Sequence, residues 1–349
     1  MSKKVLVVLA AGLASRFGSL KQVRAVNAYN EVLLDYSVYD ALRAGFSAVV
    51  FIIKAEMRAA FEAAIGAHLR PYIEVRYAFQ DFNDLPQAVT LDPARVKPLG
   101  TAHALYCARN SVKPDEKIVV INADDYYGPQ AFQTLADYFD GNEQPQKRNG
   151  VALKQYAMVA YELDKTLSEM GFVSRGVCEL TPDSYLERIN ERTQIGYLPP
   201  TAEIVDGERV DCDADSCSLQ AVLLKEKQER ERVIAYSEDG GASWRTISGK
   251  TPVSMNIWAF DYSIFALCQD YLSDFLQNKL AAAPLKAECY LPLAVGEAVK
   301  REEVQVKVYQ GNNQWFGLTY QDDYPKVQAA ICKLVAEELY PQQLWPPKN

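Results

Sequence analysis

Histidine is nearly absent from this chain of 349 residues: His68 and His103 are the two that occur. Histidine triads and multi-histidine metal centres therefore have almost no material. Chemistry must rest on carboxylates, lysine, arginine and a bound cation. Long apolar runs are missing too. No stretch of about 18 apolar residues exists, and the opening MSKKVLVVLAAGLASRFG meets Arg16 and turn residues too early for a spanning helix or a secretory signal. A soluble, cytoplasmic chain that engages no membrane is expected. Lysine and arginine are scattered over a net charge of −8, so the electrostatic footprint of a nucleic-acid binder is lacking. The seven cysteines are odd in number and mostly sit in apolar stretches, as reduced core thiols do. The one close pair, Cys212 and Cys217, has no second pair or nearby histidine to complete a zinc site, and it reads as a polar loop.

What is present is ample core: 49% of residues are hydrophobic, enough for one large α/β domain or two smaller ones. Lys4 to Leu9 is a continuous apolar run. A small-residue loop follows it, then a helix over Leu33–Ala44 and a second apolar run, Ala48–Ile53. A helical pattern at Ala55–His68, a strand at Tyr72–Phe79, a helix at Thr101–Asn110 and a strand at Lys117–Ala123 continue the alternation. This order predicts an α/β fold of Rossmann-like, three-layer αβα type, with a mostly parallel sheet and ligands at the carboxyl ends of its strands. After the polar stretch GNEQPQKRNG the texture changes. Short strand-like pieces at Phe172–Leu180, Tyr185–Ile189, Val233–Tyr236, Trp244–Ile247 and Val253–Phe260 predict hairpins over one end of the sheet. Residues 201–231 read as an insertion, and helices at Tyr262–Leu276 and Asp323–Glu338 close the chain. The division expected is one domain over 1–340, with a first half (1–140), a second half (151–340) that carries the insertion, and a tail (341–349).

The most informative stretch is AAGLASRFGSLKQ, directly after the first strand. Small residues there let backbone N–H groups approach phosphate oxygens, while Arg16 and Lys21 neutralise charge. On residue types alone a bland turn remains an alternative. LAAG, the arginine four residues after its glycine and the later lysine resemble the signature loop of the sugar nucleotidylyltransferases. KPLGTAHAL resembles that family's nucleobase segment, VINADDYYG its metal-binding strand end, and INERT its Glu-Lys sugar-contact motif. The pieces occur in the family's order over nearly the whole chain, closest in pattern to glucose-1-phosphate thymidylyl- and uridylyltransferases. Two departures stand out. Ala14 occupies the place of a second glycine, where a Cβ costs about 1 kcal/mol if φ must be positive, and Arg192 replaces the usual lysine.

The resemblance implies a nucleotide site built from Leu9, Ala10, Ala11, Gly12, Gln80, Gly100 and Thr101, with Arg16, Lys21 and Asp124 as catalytic groups. Two carboxylates at a strand end, Asp124 and Asp125, are costly without a partner, and Mg²⁺ suits such hard oxygens; a solvated turn is the plain alternative. The resemblance makes Asp124 the metal ligand. For a second ligand the chain offers Asn256 or the pair Asp322 and Asp323, although those aspartates equally suit capping of the last helix. Gln80 can give both donor and acceptor to a pyrimidine edge, whereas Gly100 and Thr101 also form an ordinary helix start. Gly171, Glu191 and Arg192 are the candidates for holding the acceptor; without the resemblance they read as an exposed hairpin. SEDGGASW, at 237–244, resembles a propeller Asp-box, but it occurs once and reads as a tight turn.

The implied activity is transfer of a nucleoside monophosphate from a triphosphate, with UTP, dTTP or CTP favoured, to a sugar 1-phosphate. Pyrophosphate is released and Mg²⁺ is the cofactor. A glycosyltransferase using a finished sugar nucleotide and a non-catalytic nucleotide-binding protein are the competing readings.

Overall fold

The computed structural model describes residues 3–12, 24–141, 147–148, 151–198, 204–206, 233–311, 315–318 and 321–347. Strand β1 (Lys4–Leu9) is followed by helix α1 (Leu33–Arg43), β2 (Ala48–Ile53), helical turns over 55–69, β3 (Glu74–Phe79), α2 (Thr101–Cys107) and β4 (Lys117–Asn122). β1 lies parallel between β2 and β4, and β3 lies parallel outside β2. Both faces of β1 are buried. Val5 and Val7 point into one apolar cluster, with α2; Leu6 and Val8 point into the other, with α1. That is why these strands read as unbroken apolar runs rather than as alternating ones.

The second half extends the same sheet. A two-residue strand β5 (Asp125–Tyr126) and helix α3 (Pro129–Asp140) are followed by β6 (Lys154–Glu162), β7 (Val173–Leu180), β8 (Leu186–Tyr197), β9 (Ile234–Tyr236), β10 (Trp244–Thr246) and β11 (Pro252–Phe260). The strand order runs β3-β2-β1-β4-β11-β7-β8-β9-β10, then the segment Ile204–Asp206. β6 branches from β11. Helices α4 (Ile264–Asp274) and α5 (Leu291–Lys300), strands β12 (Val304–Gln310) and β13 (Phe316–Gly317), and helix α6 (Tyr324–Ala336) complete the chain. The expected α/β architecture holds, a mixed sheet with a parallel core between helical layers. The hairpins expected to cover one end of the sheet instead enter it, because β11 pairs antiparallel with β4 through Trp258, Ala259 and Phe260, all fully buried. β6, β12 and α5 were not foreseen. β12 alternates buried residues with half-buried polar ones, β6 is buried from Tyr156 to Tyr161 but opens on the polar pair Lys154 and Gln155, and α5 opens at a proline that reads as a turn.

Residues 341–347, read as a tail, are docked on the core. Leu344 and Trp345 are buried, and their backbone N–H groups donate to Glu31 Oε1 at 2.6 and 3.1 Å. Trp345 Nε1 also donates to Asp35 Oδ1, which His68 Nε2 approaches to 2.6 Å, while Asp35 Oδ2 accepts the Val32 N–H that opens α1. Nearby, Tyr340 donates to Asp40 Oδ2 at 2.6 Å. Asp40 is fully buried, and its Oδ1 has no hydrogen-bond partner among the described residues.

Burial pushes the Asp40 carboxyl up to about 7. The folded state therefore binds this proton more tightly than the unfolded chain does. Ionisation costs stability that grows as pH rises from about 4 to 7 and stays constant above. Asp40→Asn, which keeps an acceptor for Tyr340, is expected to match the parent near pH 4 and to melt about 2–4 °C higher at pH 8. Thermal denaturation across that pH range measures it, and a flat difference would show that Asp40 carries no such cost.

Candidate nucleotide and acceptor sites

Topology creates the site. The chain winds from β1 outward to β3, then returns to place β4 on the other side of β1, so the crevice between the ends of β1 and β4 is a topological switch point. Register brings the strand ends level: Leu9 pairs with Ile52 and with Asn122, and Ile53 with Phe79. Beyond β1, Ala10 and Ala11 are buried, Ala10 N donates to Ile52 O, and Gly12 is exposed. Beyond β3, Gln80 N donates to Ile53 O. The loop start and Gln80 thus flank the end of β2, roughly 10 Å apart at ordinary strand spacing. Ala14, Arg16 and Lys21 lie outside the described residues.

Gln80 is half-buried, and its Nε2 lies 3.3 Å from Gly100 O and 3.2 Å from His103 Nδ1. His103 is fully buried, and its Nε2 faces Asp84 O at 3.1 Å with Cys107 Sγ at 3.4 Å. Burial lowers the His103 pKa, so the ring is neutral. Asp84 is paired through both carboxylate oxygens to Arg109, which holds its carboxyl below the usual range. The wall beyond is clamped by Arg95, whose guanidinium donates to the carbonyls of Lys97, Pro98, Pro284 and Ala287. His103 went unremarked as a site residue because two histidines support no catalytic array. Its signal was its place three residues after Gly100, on the buried face of a short helix.

Gly100 adopts φ +103°, and a Cβ there would come to 2.5 Å from Cys289 O. Cys289 N donates to Leu99 O, and Ala102 N donates back to Cys289 O. Thr101 Oγ1 accepts from Leu291 N at 2.8 Å, so this hydroxyl holds the start of α5.

Asp124 sits half-buried in the turn after β4, and its carbonyl accepts from Leu318 N at 3.0 Å. Asp125 turns inward, where Asn122 Nδ2 and the Tyr127 hydroxyl donate to its Oδ2. The strand β13 pairs with β5, setting Gly317 against Asp125. A side chain at Gly317 would meet Asp125 Oδ1 at 2.4 Å, so residues 315–318 bring no carboxylate to this edge. Asn256 is brought there: it occupies a bulge in β11 at φ +60°, and its Nδ2 reaches Asn122 Oδ1 at 3.4 Å, level with the end of β4. Positive φ in a non-glycine residue inside a strand is the kind of strain that gathers at working sites. Asp323 is buried at the start of α6, but its side chain makes no capping bond there and meets Ser168 Oγ at 3.4 Å. Among the described residues no group of three histidine, cysteine, aspartate or glutamate side chains could hold a metal. Asp124 with amide oxygens still fits Mg²⁺, which takes one or two protein carboxylates and completes its shell with phosphate and water.

On the acceptor side, Gly171 is exposed and bridges to Ser168, while Glu191 and Arg192 lie on β8. Strand alternation turns these two to opposite faces. Burial, with Glu288 adding to it and Arg175 opposing, pushes the Glu191 carboxyl up to about 7. Arg192 forms an ion pair with Glu238 and lies over the Tyr236 ring at 4.7 Å. Glu238 belongs to the 237–244 turn, where Asp239 accepts from Ser243 N and Oγ and Trp244 packs on Phe172. That turn is a structural partner of β8.

Residues 5–157 match the nucleotidyl transferase family. No curated relative matches the sequence. Three solved structures share the fold over nearly the whole chain. A UDP-glucose pyrophosphorylase complexed with UDP-glucose is 13% identical, covering 95% of this chain and 99% of that one, with a TM-score of 0.54. The inositol-1-phosphate CTP transferase from T. maritima is 12% identical over 95% and 97%, with a TM-score of 0.52. A protein described as a glucose-1-phosphate thymidylyltransferase from Bacillus anthracis, in complex with sucrose, is 12% identical over 94% of each chain, with a TM-score of 0.53. The resemblance read from the sequence motifs is borne out, and the chain has the α/β fold of nucleotide-diphospho-sugar transferases. The match supports an enzyme of the nucleotidyltransferase kind. Among the described residues no helix is long and apolar enough to cross a membrane.

Gly100→Ala is expected to lower stability by roughly 2–5 kcal/mol, the sum of left-handed backbone strain and the collision with Cys289. Urea denaturation measures it; a loss under 1 kcal/mol would mean that the 288–290 segment yields easily.

Proposed function

We propose that the protein transfers a nucleoside monophosphate from a pyrimidine nucleoside triphosphate to a sugar 1-phosphate. One observation carries the reading. The ends of β1, β3 and β4 share one edge, so that residues Ala10 and Ala11, Gln80 and Asp124 each follow a strand end on the same side of the sheet. A nucleotide laid along that edge has its base by Gln80 and Gly100 and its phosphates between the first loop and Asp124.

An acceptor phosphate oxygen attacks the α-phosphorus, the bond to the bridging oxygen of the β-phosphate breaks, and pyrophosphate leaves. The attacking oxygen is already anionic, so no general base is required, and the work is positioning and charge neutralisation. Backbone N–H groups near Gly12 cradle the phosphates, and Arg16 and Lys21 neutralise them. Asp124, with Asn256 beside the same strand end, would hold Mg²⁺, which supplies further neutralisation of the polyphosphate when bound. Gly171 and Glu191 would contact the sugar. Arg192 is tied to Glu238, so a phosphate role for it requires that pair to open.

A matrix of UTP, dTTP, CTP and GTP against sugar 1-phosphates with Mg²⁺, scored for pyrophosphate, tests the proposal. At least one pair should turn over, and Asp124→Asn should lower kcat by about 10²–10³ with the circular dichroism unchanged. Pyrophosphate from no pair would defeat it, and hydrolysis or transfer from a finished sugar nucleotide would favour a glycosyltransferase instead.

A further inference from the structure

The last described residues touch two elements that border the switch point. One contact runs through Glu31, a carboxylate only 4% exposed. Its Oε1 accepts the N–H groups of Leu344 and Trp345, and its Oε2 accepts Asn27 Nδ2 at 2.5 Å. Asn27 Oδ1 in turn accepts from Tyr29 N and Glu31 N, so the turn over 27–31 closes around that pair. Residues 24–31 follow the first loop closely in the chain, with Arg24 three positions after Lys21. Their other holdfast is α6: Arg24 lies over the Tyr324 ring at 5.1 Å, and the Tyr324 hydroxyl donates to Ala25 O. The second contact runs through Tyr340. Its hydroxyl proton goes to Asp40, so the Tyr126 hydroxyl, 2.8 Å away, is the donor to it. Tyr126 belongs to β5, beside Asp125, and stacks on Phe316 of β13 at 4.3 Å.

From these contacts we infer that residues 340–346 are a strap whose docking is coupled to nucleotide binding. Docked, the strap fixes both the segment that leaves the first loop and the strand beside the acidic turn, the two elements assigned to the polyphosphate. The inference rests on the nucleotidyltransfer reading and adds a regulatory device to it. Coupling is reciprocal: a strap that favours the polyphosphate is itself held down by it, and by the same factor. The segment suits such a role because it can open alone. It contains no helix or strand, and its grip is a short set of contacts. These are the two N–H bonds to Glu31, the Trp345 Nε1 bond to Asp35, the Tyr72 hydroxyl on Pro346 O and the Trp345 ring against Tyr39 and Tyr72. Such segments open at a smaller free energy than the sheet they rest on. Opening would strip Glu31 Oε1 of two donors while Oε2 still held Asn27, and the turn over 27–31 would lose its anchor to the C-terminal segment.

Hydrogen exchange of the Leu344 and Trp345 amides in the full-length protein, followed with and without triphosphate and Mg²⁺, reads the coupling from one side. UTP, dTTP, CTP and GTP are each tried, and whichever binds is expected to slow that exchange by at least about fivefold. Trp345→Ala, which removes the ring and its bond to Asp35, reads it from the other side. Triphosphate affinity should fall by a comparable factor, with KM for the acceptor nearly unchanged. A merely structural role would lower the folded fraction, reducing kcat and leaving the nucleotide Kd where it was. Because Trp345 is buried and that variant can fail to fold, the exchange measurement on the parent stands independently of it. Exchange at 344–345 unmoved by a bound triphosphate, or a folded Trp345→Ala variant with parental affinity, would overturn the inference and leave the nucleotidyltransfer reading standing. Failure of all four triphosphates to bind would overturn that reading and the inference with it.

Discussion

Everything at the site depends on β1 being paired in parallel on both of its edges. A strand buried on both faces must satisfy every backbone donor and acceptor through its neighbours, so β2 and β4 are bound to it residue by residue, from Val5 with Ala48 and Ile118 to Leu9 with Ile52 and Asn122. That ladder sets the ends of four strands at one level. Because the chain leaves β1 in one direction and comes back on the other side, residues 10–12 after β1 and the acidic turn after β4 stand at the same switch point. Shifting one strand by a single residue would turn Val5 and Val7 to the wrong face and take Asp124 out of line.

Around this frame the protein uses glycine and carbonyl groups as fixed geometry. Gly100 lets the Cys289 backbone close against the start of α2, and Thr101 then anchors α5, so the start of α2 is joined to a helix nearly two hundred residues later in the chain. Gly317 does the same at the acidic end, letting β13 lie against Asp125. Asp125, read as support for Asp124, is held inward by Asn122 and Tyr127.

The first half was legible because its signals are local. Unbroken apolar runs separated by amphipathic helices announce a parallel sheet, and small residues after the first run announce a loop that admits close backbone approach. The second half was less legible. β12 alternates buried and half-exposed positions, β6 opens on polar residues, and β8 extends through INERT well beyond the stretch that looks strand-like. In such strands the polar residues hide the period. Glu191 and Arg192 were adjacent letters with one implied role, but pleating sends them to opposite faces and into different company: a carboxyl raised by burial beside Glu288, and a guanidinium paired with Glu238.

The sequence by itself determined the class of fold, the order of its first strands and helices and the scarcity of histidine, since each follows from residue type and short-range spacing. Tertiary structure alone decided that Asn256 meets the end of β4, that Asp323 bonds Ser168 instead of capping its helix, and that His103 stands behind Gln80. The reason is physical. Those outcomes depend on which residue distant along the chain supplies the facing acceptor or donor, and no periodicity carries that information. Only the closed sheet brings such partners within hydrogen-bonding reach.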